Sequence, residues 1–145
     1  MGISVAPNVT PHQLRQAAAL LVTSGLVGTV ADALEELRAY HARDPGLIVV
    51  LQADSAVAGV GIGSYDGYRG TLRRLAVRER WRGLGLGRWL AAELEHRLLE
   101  RGARLLRLHV EGAAARGFWE RLGYGALDLC YLGKDPYRHA APQDP

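Results

Sequence analysis

The stretch Arg82-Gly83-Leu84-Gly85-Leu86-Gly87 places a glycine at every second position. Without Cβ atoms, the backbone there can approach a ligand closely. A short apolar run, Leu75-Ala76-Val77, precedes it, and a helix-like stretch opens near Leu86. The first turn of a helix carries unpaired N–H groups and the positive end of its dipole. Strand, glycine turn and helix start together make a phosphate cradle. Arg78, Arg80, Arg82 and Arg88 flank or join the turn. The chemistry open to these residues is to grip a pyrophosphate.

Other glycine motifs fit less well. A dinucleotide fingerprint starting at Gly83 needs glycine where Arg88 stands. A Walker A loop needs Gly-Lys-Ser/Thr, and no lysine is nearby. A turn that merely packs a helix tightly on a sheet stays open as the plainer alternative.

The elements that must hold this turn follow from periodicity and breakers. Residues 3–6 alternate weakly and read as a strand. Thr10-Pro11 supplies an N-cap and a first helical proline, opening a helix that runs to about residue 22. A loop follows at 24–29. Leu34, Leu37 and Tyr40 share one face of a second helix over residues 30–43, ended by Asp44-Pro45-Gly46. Residues 47–53 are rich in apolar and β-branched side chains and predict a buried strand. Residues 56–65 predict the next strand, in which Gly59, Gly61 and Gly63 signal a close approach or a bulge. Asp66-Gly67 is a hairpin signal leading to a strand over 71–77. Beyond the glycine turn, Leu86, Leu90, Leu94 and Leu98 line one face of a helix, with Gly102 where its cap belongs. Residues 104–110 alternate as a strand, with Leu106, Leu108 and Val110 on one side and Leu105, Arg107 and His109 on the other. Residues 113–122 predict a short helix and 124–133 one or two final strands. The polar tail 139–145 reads as a frayed end.

Hairpins join the early strands, which therefore pair antiparallel. A helix joins the strand before the glycine turn to the strand at 104–110, so those two run parallel. The expected fold class is α/β (α+β). It has a central mixed, mostly antiparallel sheet of six to seven strands and about four helices, in a single domain over residues 1–145.

Composition narrows the partners. A hydrophobic content of 48% and a charged content of 23% are ordinary for a soluble globular protein. No apolar run reaches the roughly 18 residues of a membrane span. The N-terminus lacks a basic segment followed by an apolar one. The single Cys130 cannot form an internal disulfide. A cytoplasmic protein without a membrane partner is the expectation. The net charge of +3 suits an anionic ligand. The arginines are scattered and Lys134 is the only lysine, so no nucleic-acid stripe is expected.

With its turn and flanking elements in place, the chain resembles the GNAT family of N-acetyltransferases. Arg82, Gly85 and Gly87 match the family pattern Arg/Gln-x-x-Gly-x-Gly/Ala. Phe118-Trp119-Glu120-Arg121-Leu122-Gly123-Tyr124 is similar to the family's Y-x-x-x-G-F ending of its fourth helix. The hairpin Tyr65-Asp66-Gly67-Tyr68-Arg69-Gly70 and the late Leu132-Gly133-Lys134 resemble small bacterial YpeA-type and, more distantly, RimI-like members.

The resemblance implies transfer of an acetyl group from acetyl-CoA to a primary amine of a small molecule or protein, with no metal. It implies a GNAT fold whose parallel strand pair splays apart. It implies cofactor binding by Leu75, Ala76, Val77, Arg82, Gly83, Leu84, Gly85, Leu86, Gly87 and Arg88. Backbone N–H groups of the turn would hold the diphosphate, and the pantetheine arm would lie along residues 75–77 like an added strand. The Val77 N–H would polarise the thioester carbonyl. Side chains of Arg78, Arg80 and Arg88 would neutralise phosphate or face solvent. Homodimers are frequent in the family.

Transfer also needs a base, because a lysine-like amine with pKa about 10.4 arrives protonated. An imidazole, near 6.5, qualifies. RimI-like members end their fifth strand Leu-Glu-Val-Arg, with the glutamate as base; here the chain reads Leu108-His109-Val110-Glu111. His109 is thus the candidate base, or else a histidine packed under the first two helices. Glu111 is a second candidate, or a helix N-terminal charge. Gly112 stands where the family often has Asn, and Trp119 where it often has the Tyr that protonates the leaving thiolate. Water, Tyr124 or Tyr131 would then supply that proton, or the chain is an acyl-CoA-binding scaffold with little or no transfer. The acceptor pocket is expected from the loop 24–29, the strand 59–65, Asp66 and Tyr68. Asp66 either attracts the amine or simply opens an Asp-Gly turn.

Overall fold

Helix caps and a run of hairpins organise the chain in the computed structural model, which describes residues 2–137. The tail expected to fray at 139–145 lies outside the described residues. Strand β1 (Ile3–Val5) leads to helix α1 (Pro11–Thr23). Its start is a capping box: Thr10 Oγ1 accepts from the Gln13 amide at 3.1 Å, and Gln13 Oε1 accepts from the Thr10 amide at 3.0 Å. Thr29 caps α2 (Val30–Arg43) by accepting from the Asp32 amide at 3.1 Å. Then come β2 (Ile48–Ala53), β3 (Ala56–Tyr65), β4 (Arg69–Val77), α3 (Leu86–Glu100), β5 (Leu105–Leu108) and α4 (Ala113–Arg121).

The sheet order is β1-β2-β3-β4-β5. The first three pairings are antiparallel and β4–β5 is parallel, as the hairpin and crossover lengths require. The sheet divides the interior. On one face α1 and α2 bury Leu14, Leu21 and Leu37 against Ile48, Val50, Val60 and Ile62. On the other, Leu86, Leu90, Leu94 and Leu98 of α3 pack on Val49, Leu51 and Leu72. Gly59, Gly61 and Gly63 lie under that leucine row. An added Cβ would come 3.0 Å from Leu90 Cδ1, 2.7 Å from Leu94 Cδ1 and 3.3 Å from Leu94 Cδ2, respectively. The close-approach reading holds; the bulged residues are Ala58 of β3 and Arg73 of β4, each beside a glycine or its rung but not a glycine itself.

The sheet has five strands where six to seven were expected. Residues 124–133, read as one or two final strands, form none. Leu127, Leu129 and Tyr131 alternate as a strand would, but alternation alone supplies no partner. The backbone bonds made by amides of this segment are local, Tyr124 to the Trp119 carbonyl and Leu129 to that of Leu127. Leu129, Tyr131 and Leu132 stay exposed. Strand β5 is also shorter than the alternation over 104–110 suggests, so His109 and Val110 lie beyond its ladder.

Candidate functional site

A short 3-10 turn, Glu79–Trp81, carries the chain from β4 toward α3 and anchors itself through the buried Trp81. Arg82 Nε donates to the Val77 carbonyl at 3.1 Å and draws the turn back over the end of β4. Gly83 and Gly85 then take left-handed φ values of +81° and +80°, which L side chains adopt at a cost. Left-handed residues in a turn aim successive N–H groups at one concavity. Gly85 is the N-cap of α3 and offers no side chain to its first turn. The first backbone bond of the helix is Trp89 N–H to the Gly85 carbonyl at 3.0 Å. Amides 83–88 therefore have no acceptor among the described residues. An added Cβ at Gly83 or Gly85 meets nothing within 4 Å, so the space beside both residues is open. Gly87 differs: its Cβ position lies 3.4 Å from Phe118 Cζ, so this glycine lets α4 close on α3.

The surrounding arginines divide by task. Arg78 Nε donates to the Val57 carbonyl at 2.9 Å, and Arg80 lies over the Trp81 ring at 5.0 Å. Both hold the turn's shape. Arg88, on the first turn of α3, is exposed.

Below this turn the parallel pair opens. The β4–β5 ladder runs from Arg69↔Leu105 to Leu72↔Leu108 and stops, while β4 continues to Val77. Arg73 is the extra residue of a bulge at that point, since Ile62 faces Arg74 and Gly63 faces Leu72. Antiparallel rungs alternate between bonded and non-bonded pairs. Arg78 N–H bonds the Ala58 carbonyl at 2.8 Å. Gly59↔Val77 and Gly61↔Leu75 are then the non-bonded rungs. The N–H and C=O groups of Leu75 and Val77 therefore face away from β3, along the edge that β5 leaves uncovered.

His109 comes immediately after the last β5 rung, at the mouth of this gap. Its side chain is 56% exposed, with Nε2 3.6 Å from Glu111 Oε1 and the ring 5.1 Å from that of Tyr131. The packed-histidine reading is thereby excluded. Trp119 stacks edge-on between Phe118 and Tyr124. The Tyr124 hydroxyl donates to Glu95 Oε2 at 3.2 Å. Burial, and then the Glu95 charge, push its acidity well below that of an ordinary phenol. A proton held this way is poorly placed for release, whereas the Tyr131 side chain is exposed beside His109.

On the α2 face two adjoining cavities, of about 340 and 230 Å³, share Tyr40, Arg43, Ser64 and Tyr65. The smaller is also lined by Asp66, Arg69, Thr71, Arg73 and Arg107. The expected strand end and Asp66 line this space; the loop 24–29 does not, and neither does Tyr68. Asp66 Oδ1 accepts from the amides of Tyr68 at 2.9 Å and Arg69 at 2.6 Å. Those bonds, Arg69's first, hold its carboxyl below the usual carboxylate range, helped by the Arg69 and Arg107 charges. Asp66 is therefore a turn cap. The arginine lining of this cavity was missed in the sequence, although Arg69, Thr71 and Arg73, like Arg107, alternate visibly along their strands.

Among the described residues no cluster of three or more His, Cys, Asp or Glu could hold a metal, and no helix is long and apolar enough to cross a membrane. An acetyltransferase of Yersinia enterocolitica is 37% identical over 93 residues, covering 63% of this chain and 66% of that protein. A GNAT-family structure from Desulfovibrio desulfuricans superposes with a TM-score of 0.71 at 26% identity, over 87% of each chain. An aminoglycoside N-acetyltransferase solved in complex with CoA superposes with a TM-score of 0.75 at 13% identity, over 93% of this chain and 95% of its own. The profile of the Acetyltransferase (GNAT) family matches residues 19–124. Open glycine turn, uncovered β4 edge and this match agree: the chain belongs to the GNAT acetyltransferase family.

Proposed function

We propose that the protein transfers an acetyl group from acetyl-CoA to a primary amine in the cytoplasm. The observation that carries this reading is the row of partnerless amides at 83–88, set at the head of the uncovered β4 edge. A diphosphate fits that row, because it needs several convergent donors and a helix N-terminus and no Cβ in the way. In this reading Arg82, Gly83, Leu84, Gly85, Leu86, Gly87 and Arg88 form the diphosphate end of the site, and Leu75, Ala76 and Val77 form the bed of the pantetheine arm. The aminoglycoside enzyme with a similar fold holds CoA, and this chain's turn suits the same ligand.

Acetyl-CoA supplies the acetyl group as a thioester; the chain supplies position and proton handling. The Val77 N–H, which has no strand partner on that edge, donates to the carbonyl oxygen where negative charge develops. His109 takes the proton from the attacking amine, directly or through water, and its exposure lets it pass the proton to solvent. Tyr131, whose ring lies 5.1 Å from that of His109, would give a proton to the leaving thiolate.

The test is release of CoA thiol from acetyl-CoA with a panel of primary amines, alongside calorimetric titration with CoA. Binding with amine-dependent release is expected. Binding with no release above background would favour an acyl-CoA-holding scaffold, a reading supported by Trp119 standing where the family often has its acid. No CoA binding would refute both.

A further inference from the structure

We propose that the amine acceptor is a small molecule carrying a phosphate or carboxylate, which Arg69, Arg73 and Arg107 bind at the closed end of the strand gap; this rests on the acetyltransferase reading for where the amine reacts. The smaller α2-face cavity gathers Arg43, Arg69, Arg73 and Arg107 and has a single carboxylate, Asp66. That carboxylate is spent on two backbone amides. Four arginines elsewhere are paired, Arg74 with Glu36, Arg97 with Glu93, Arg101 with Asp44 and Arg116 with Glu120, while the other described arginines outside the cavity are unpaired but not gathered around one cavity. None of the four cavity arginines makes an ion pair within 4.0 Å among the described residues.

Two of these side chains, Arg73 and Arg69, are held in place. Arg73 Nε donates to Ser64 Oγ at 3.0 Å while its guanidinium lies 5.7 Å from the Tyr40 ring. Arg69 lies over the Tyr68 ring at 5.4 Å. Like charges brought together without a counter-charge repel one another, and an anion relieves that repulsion. Guanidinium forks suit phosphate and carboxylate oxygens.

The place of the cluster fixes what else the anion must carry. Thr71↔Arg107 is the last rung but one of the parallel ladder, and Arg73 is the bulge residue just past its end. His109 follows Arg107 by two residues, just past the end of β5, so the two Cα atoms lie no more than about 7 Å apart. An acceptor that spans this gap has its amine about 7–10 Å from its anionic group. The cavity volume of about 230 Å³ has room for a small anionic group.

Matched amine pairs test this: glucosamine 6-phosphate against glucosamine, and 6-aminohexanoate against hexylamine. Thiol release gives KM for each, and calorimetry on the CoA-saturated protein gives binding without turnover. At least one anionic member should show a KM about tenfold lower than its neutral partner, and the pair in which it does so separates phosphate from carboxylate. Arg107→Gln and Arg73→Gln should abolish that preference, and added salt should weaken it. Arg15→Gln, an exposed change on α1, should leave it intact. Equal KM values within both pairs, a preference that survives Arg107→Gln, or transfer only to acidic peptides would overturn the proposal. Should no amine be acetylated, the transferase reading fails by itself. Titration then decides: anion binding that Arg107→Gln removes supports the site, and no anion binding overturns it.

Discussion

Gly85→Ala separates the cost of a strained backbone from the loss of a ligand site. Gly85 holds φ at +80° with open space around its Cβ position. An L-residue kept there costs about 1–2 kcal/mol. For a chain of this size each kcal/mol lowers Tm by about 2–4 °C, so a drop of about 2–8 °C is expected. If the open space belongs to a diphosphate, the new methyl also displaces the ligand from neighbouring amides. Hydrogen bonds to a charged group contribute about 1.5–3 kcal/mol each. Losing two raises the Kd for CoA by at least about a hundredfold. Gly25→Ala is the control, because Gly25 has φ +75°, an equally open Cβ position and a place in the α1–α2 loop. It should lower Tm to a similar extent and leave the Kd for CoA unchanged. Calorimetric titration and thermal melts of both variants make the comparison. A Gly85→Ala protein that loses stability yet binds CoA as tightly as the parent would refute the assignment of the turn.

Three further outcomes are expected. Arg101 donates from Nε to Asp44 Oδ2 at 2.7 Å and from Nη2 to Oδ1 at 3.0 Å, which holds the Asp44 carboxyl below its ordinary value. A depressed carboxylate stabilises the fold above its unfolded pKa and loses that effect as pH falls through the folded one. Asp44→Asn should therefore cost about 1 kcal/mol at pH 7, discounted for partial exposure, and nothing once the pH is below the folded pKa, as melts across that range would record. Gly61→Val should destabilise by about 1–3 kcal/mol, since even its Cβ meets Leu94 Cδ1 at 2.7 Å; urea denaturation checks this, and parental stability would mean that α3 can lift without cost. His109→Gln should lower kcat about a hundredfold, flatten the acid limb of the pH–rate profile and spare CoA affinity; an unchanged profile would remove His109 from the chemistry.

Local chemistry was the legible part. Thr10 caps α1 where the sequence places an N-cap, and Asp44-Pro45-Gly46 ends α2. The leucines at 86, 90, 94 and 98 face the sheet. The glycine turn was legible because left-handed φ at Gly83 and Gly85 leaves few other residues possible. Pairing was less legible. Leu127, Leu129 and Tyr131 carry a strand's alternation, yet a strand forms only where its amides meet a neighbour, and sequence period does not name one. The charge of the α2 face was hidden for a related reason. Arg43, Arg69, Arg73 and Arg107 come from three separate elements, and only the sheet register brings them together.

The register also explains how the two halves of the proposed site can lie on opposite faces. Gly83, Gly85 and the start of α3 belong to the α3 side, whereas Arg69, Arg73 and Arg107 line a cavity on the α2 side. A continuous ladder would seal one from the other. Pairing stops at Leu72↔Leu108, one residue before the Arg73 bulge, so the uncovered amides of Leu75 and Val77 are reachable from both directions. Lengthening β5 by three rungs, past the Arg73 bulge to Leu75, would close that passage without touching the glycine turn. Such a variant should bind neither coenzyme nor acceptor productively, which would locate the reaction at the gap itself.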